Sequence, residues 1–163
     1  MSQPPVPPSN SNVLSIILWS LRLRVCAYQH SIDGDKNVIN IFVRYQQVDE
    51  NNRLAHSLGL QKGLIGVVNA YATEGYRASN NIVIAHELLH TVGAADKYDL
   101  STGQPIYPDG FATPDNHYEQ TKAEIMAGRV PLNERESVMP KSLRYSIIGN
   151  KTAREIAWLD NHD

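Results

Sequence analysis

The stretch His86-Glu87-Leu88-Leu89-His90-Thr91-Val92-Gly93-Ala94-Ala95-Asp96 decides how the rest of this chain reads. Two histidines four apart on a helix are separated by about 40° around the axis and about 6 Å along it. Both imidazoles can therefore grip one ion from the same face. Glu87 sits about 100° round from His86, beside such an ion rather than aimed at it, where it can take a proton from water. A catalytic zinc normally takes three protein ligands and keeps a fourth position open. Gly93 lets the helix stop with positive φ and turn, which brings Asp96 back beneath the histidines. Without such a partner, burying two histidines and a glutamate on an otherwise apolar helix would be costly.

Working outward, Ser79-Asn80-Asn81 offers capping chemistry for a helix over 82–92. Upstream, 64–72 reads as a strand in which Gly66 marks a bulge or a close backbone approach. A second strand, 38–45, puts Ile39, Ile41, Val43 and Tyr45 on one face. Asp33-Gly34-Asp35 marks a turn and 49–53 a polar loop. Leu14, Ile17, Leu18, Leu21, Val25 and Tyr28 fall at helical spacing after a cap at Ser11 or Asn12. Residues 1–11 hold four prolines and read as a linker or tail ahead of one domain over 12–163. Downstream, 96–120 is irregular, and a stretch of that length is usually wrapped around a site. A last helix is expected over 152–159, with Thr152 and Glu155 as a capping box.

Composition narrows the class. Fifteen basic residues against 17 acidic ones, with no run of one sign, argue against a nucleic-acid or anionic-membrane binder. The single cysteine, Cys26, rules out an internal disulfide and any Cys-rich metal site. The apolar run 13–21 is too short to span a membrane and lacks the flanks of a signal peptide. The chain is expected to be a soluble monomer with no membrane span. That fits a domain of a longer exported or membrane-anchored bacterial protein.

The pattern H-E-x-x-H-x-x-G-x-x-D resembles the metzincin clan of zinc endopeptidases, in the snapalysin-like variant where aspartate replaces the third histidine. Asp96-Lys97-Tyr98 resembles the Asp-x-Tyr of that variant. Metzincins carry a methionine in a tight turn below the metal and a C-terminal helix. Glu124-Ile125-Met126-Ala127-Gly128 and the helix at 152–159 suit those parts. The resemblance implies an α+β fold: a small mixed sheet packed against an N-terminal helix and the zinc helix, with a loop-rich lower part closed by the last helix. It implies zinc on His86, His90 and Asp96, Glu87 as general base, and peptide-bond hydrolysis of a peptide or protein substrate. It also implies that 64–72, as the sheet edge nearest the cleft, could hold an extended peptide by strand addition.

Some positions depart from that pattern or compete with it. Gly128 stands where some metzincins have a tyrosine that assists at the metal, leaving Tyr98, Tyr118 and Tyr145 as candidates. His117, Glu119 or Glu124 could replace Asp96 as the third ligand, Met139 could replace Met126, and Cys26 could cap the ion as a thiolate. His30, His56 and His162 read as surface or structural, and Asp99, Asp109 and Asp115 as solvated loop acids. A zinc-containing binding protein without turnover, or an amidase acting on a non-protein amide, would share the same ligands.

Overall fold

The computed structural model describes residues 4–8, 12–30, 38–49, 54–118 and 120–160. The chain is α+β, with a mixed three-stranded sheet between two long helices and a lower part of short strands and loops. Helix α1 runs Val13–His30 and is capped by Asn12, whose Oδ1 accepts the Leu14 N–H at 3.0 Å. Strands β1 (Asn40–Gln46), β2 (Leu58–Leu60) and β3 (Ile65–Tyr71) follow. Their order is β1-β3-β2, with β1 parallel and β2 antiparallel to β3.

β3 is therefore the central strand and not an edge, which corrects the expectation that 64–72 borders the cleft. The missed strand is β2, three residues long and too short to show a period. Gly66 makes no bulge: it pairs in regular register with Ile41 and Gly59. A Cβ there would come within 2.6 Å of Ile41 Cδ1, so the glycine marks a close side-chain approach.

Alternation along β3 decides what each face holds. Ile65 and Val67 join Trp19, Leu23 and Ala27 of α1 in one apolar cluster. Gly66 faces the other way, toward Thr91 of helix α2 (Arg77–Thr91). α1 and α2 thus cover opposite faces of the sheet. The apolar spacing that reveals α1 does not mark its buried side: Leu14, Ile17, Leu18, Leu21, Val25 and Tyr28 are all exposed. Ahead of α1, the Trp19 indole N–H donates to the Pro5 carbonyl at 2.8 Å, so part of the proline-rich tail lies against the helix.

The lower part holds β4 (Ala123–Glu124), β5 (Val130–Pro131), β6 (Ser137–Val138), β7 (Ser146–Ile147) and helix α3 (Asn150–Glu155). β4 pairs with β7 in parallel and β5 with β6 antiparallel. A second apolar cluster of Ile82, Leu89, Ala94, Ile125, Met126 and Ile156 joins this part to α2. α3 begins and ends earlier than expected, and Thr152 is not its cap. Its hydroxyl instead donates to Glu124 Oε1 at 2.7 Å, and Glu155 reaches back to residues 95 and 97. The turn expected at 33–35 and most of the loop at 49–53 lie outside the described residues. Among the described residues no helix is long and apolar enough to cross a membrane.

Candidate metal centre and cleft

Three contacts seat α2, and only one of them was legible beforehand. The helix starts at Arg77, five residues before the expected 82, and no side chain caps it. Asn80 bonds the neighbouring strand instead. Its Oδ1 accepts the Tyr71 N–H at 3.1 Å and its Nδ2 donates to the Tyr71 carbonyl at 2.8 Å. Further along, Gly59 of β2 lies flat against the helix: a Cβ there would meet the Glu87 carbonyl oxygen at 2.4 Å and His90 Cβ at 2.6 Å. The C-terminus is the expected one. Gly93 has φ +109°, its N–H donates to the His90 carbonyl, and the Ala94 N–H donates to the Leu89 carbonyl. That pair of bonds is the Schellman stop.

After this stop the chain doubles back and Asp96 arrives beneath the histidines. Its Oδ1 lies 3.1 Å from His86 Nε2 and 3.1 Å from His90 Nε2, while the two Nε2 atoms are 3.0 Å apart. Among the described residues this is the one His/Cys/Asp/Glu group spaced to hold a metal ion. The tautomers explain why a cation fits. His86 Nδ1 lies 3.0 Å from the Ile125 carbonyl and His90 Nδ1 2.7 Å from the Ala94 carbonyl. A carbonyl only accepts, so both Nδ1 atoms carry the hydrogen. In the neutral rings both Nε2 lone pairs then converge on each other and on a carboxylate oxygen, an arrangement that repels unless a cation or proton sits among them. A tetrahedral ion with ligands at about 2.1 Å separates them by roughly 3.4 Å, near the spacing here.

The local charges shift several groups. Burial pulls the His86 imidazole down, but the Asp96 hydrogen bond, the Ile125 carbonyl and the charges of Glu87 and Asp96 outweigh it and raise its pKa. The His86 hydrogen bond, against some burial, lowers the Asp96 carboxyl. Glu87 is pushed up by burial and by the Asp96 charge, with both imidazoles opposing. Only 7% of Glu87 is exposed, and its Oε2 has no hydrogen-bond partner. A buried carboxylate oxygen left open is costly in a structural role. Glu87 and His86 line a largely apolar cleft together with Ile82, Val83, Tyr98, Ala127, Arg129 and Met139.

Below the histidines lies the turn 124–128. The Ala127 and Gly128 N–H groups both donate to the Glu124 carbonyl, and Met126 is fully buried. Glu124 is no metal ligand. Its Oε2 accepts from the Met126 and Ala127 N–H groups at 2.6 and 3.0 Å, and its Oε1 from the Gly149 N–H and the Thr152 hydroxyl. This carboxylate ties the turn to the start of α3 and fixes the Ile125 carbonyl that orients His86. On the other side of the site, Lys97 is buried, and its Nζ donates to the Ala95 carbonyl at 2.8 Å and to Glu155 Oε2 at 2.7 Å. The Ala95 N–H donates to the same oxygen at 3.0 Å.

The remaining candidates fall elsewhere. His117 packs among Tyr107, Phe111 and Tyr118, with the Tyr107 ring centroid at 4.2 Å, and is not among the clustered metal-ligating atoms. Cys26 is buried on the α1 side of the sheet, beside His30, and cannot reach the metal-ligating cluster. Tyr98 shares the cleft with Glu87, whereas Tyr118 packs at a tilt against His117 and Tyr145 lies beside Arg144. Burial and the Asp96 and Glu87 charges raise the Tyr98 pKa. Met139 lines the cleft wall and Met126 forms the turn. Asp99 is exposed and held near 2 by Ser101 and Thr102 hydroxyl and backbone donors. Asp109 and Asp115 are exposed, and His56 is exposed on the loop before β2. Glu119 and His162 lie outside the described residues.

Comparison of the chain with protein-family models, curated proteins and solved structures found no match. The reading of the site therefore rests on its own chemistry.

Proposed function

We propose that the protein is a zinc-dependent endopeptidase related to the Asp-type metzincins, with His86, His90 and Asp96 as ligands and Glu87 as general base. The observation that carries this reading is the Glu87 carboxylate: buried, open at Oε2, and facing a cleft beside two imidazoles whose free nitrogens converge. A purely structural metal site has no use for such a group.

Zinc, when bound, supplies Lewis acidity toward a carbonyl and lowers the pKa of water. The protein does the rest. The Ile125 and Ala94 carbonyls hold both rings with Nε2 forward. Glu87, raised by its burial toward the pH of use, takes the proton of the attacking water on Oε2 and returns it to the leaving amine. Tyr98 stays protonated at neutral pH and can donate to a developing oxyanion in the cleft. The substrate backbone pairs with β2, the edge strand lying against the Glu87 and His90 turn. Incubation of zinc-loaded protein with a diverse peptide library, Glu87→Ala alongside, tests the proposal. Cleavage by the wild type alone supports it, and no cleavage of any peptide by zinc-verified protein refutes it.

A further inference from the structure

We propose that the outward face of α1 is the seam of a parallel homodimer. Leu14, Leu18, Leu21, Val25 and Tyr28 follow one another at spacings of four, three, four and three residues. That is the heptad seam, with Leu18 and Val25 at a and Leu14, Leu21 and Tyr28 at d. A helix that only packs on a sheet has no need for a second apolar stripe. Here the sheet is served by Trp19, Leu23, Cys26 and Ala27, which fall at the b, c and f positions on the opposite side. The seam itself stands in solvent: Leu14 is 75% exposed, Leu18 51%, Leu21 54%, Val25 57% and Tyr28 78%.

Two heptads are too few for an isolated coiled coil, because most of its stability must offset ordering the helices. In this protein the helix is already formed against the sheet, so pairing needs only to bury the seam. An exposed apolar patch larger than a few hundred Å² is unusual on a monomer. Two such stripes with Ile17 beside them supply roughly the 1,000 Å² that a specific interface needs.

The flanks favour a second copy in parallel. In that arrangement a g residue faces the e residue five positions on in its partner. Ile17 then faces Arg22 and Arg24 faces Gln29, so no like charges oppose each other. The two-fold axis runs along the seam, and each residue meets its own counterpart. Because α1 lies on the face of the sheet away from α2, the cleft stays open in the dimer. The inference is independent of the proposed activity.

Sedimentation equilibrium of the full chain tests it. The wild type should be a dimer that dissociates on dilution. Leu18→Glu with Leu21→Glu, at exposed positions, should be monomeric at the same concentration with an unchanged circular dichroism spectrum. Leu21→Cys in a Cys26→Ser background should crosslink to itself through residue 21 under oxidising conditions, as the parallel register requires. A wild type monomeric at every concentration overturns the proposal, as does a dimer that the double substitution leaves intact. A dimer in which Leu21→Cys fails to crosslink overturns the parallel register. A monomer that instead co-sediments with phosphatidylserine vesicles through this face overturns it in favour of a lipid surface.

Discussion

The roles proposed for Glu87 and for the three converging side chains are separable by single substitutions. Glu87→Gln keeps the shape of the side chain but cannot accept a proton, so it should abolish hydrolysis, by 10²-fold or more, with zinc still bound. Peptide turnover and elemental analysis on the same sample check both halves, and near-normal turnover would refute the general-base role. Asp96→Ala removes the oxygen that lies 3.1 Å from both imidazoles. It should weaken zinc binding at least tenfold, while His117→Ala, whose ring sits in an aromatic cluster, should leave it unchanged. Competition titration against a chromophoric chelator measures both. That His86, His90 and Asp96 come together was readable because their relation is local: an i, i+4 pair on one helix, then a glycine stop. Glu124 stayed open as a competing ligand because, besides the Met126 and Ala127 N–H groups, its partners at 149 and 152 lie more than twenty residues away. No short-range pattern carries that information.

At the scale of elements, α1 and β1 showed through their apolar period and β3 and α2 as near-continuous apolar runs, but their neighbours were harder to assign. β2 has only three residues, and its importance lies in a contact no periodicity reports, the seating of Gly59 on α2. Gly59→Ala forces that strand off the helix backbone and should cost about 1–3 kcal/mol, read as a lowered urea midpoint. The start of α2 was misplaced because Asn80, a good cap by residue type, satisfies the Tyr71 backbone across the gap to β3. In the same way Thr152 and Glu155 suit a capping box by spacing but are claimed by Glu124 and Lys97. Tertiary partners outbid local ones in each case. Burial raises the Glu155 carboxyl, but the Ala95 N–H and Lys97 more than reverse this, leaving its pKa below the usual 4.5. A depressed carboxyl contributes stability that is complete above the unfolded value and is lost as pH falls through the folded one. Stability should therefore decline below about pH 4.5. Glu155→Gln should flatten this dependence and cost about 1–3 kcal/mol at neutral pH by stranding the buried Lys97 ammonium. Urea melts at a series of pH values give both numbers.

For the whole molecule, zinc and folding should be linked. An ion that binds the assembled ligands and not the unfolded chain stabilises by mass action, about 2.7 kcal/mol at a hundredfold over its Kd. In a domain of this size that raises Tm by roughly 5–10 °C. Scanning calorimetry with zinc and with excess chelator measures the difference, and coincident curves would refute the linkage. The α+β class followed from the family resemblance, and the long elements it needs were legible as apolar stripes or runs of their own. The lower part was not, because its strands are two residues each and exist only through their partners.

If the proposed site holds its metal, the strut from Glu155 to Ala95 and Lys97 should make residue 155 a determinant of how fast that metal exchanges. Glu155→Ala would spare both histidines and Glu87 but free the segment that carries Asp96. Such a variant should still take up zinc, yet surrender it to a competing chelator far sooner than the wild type does, with no change at any of the three groups proposed to hold the ion.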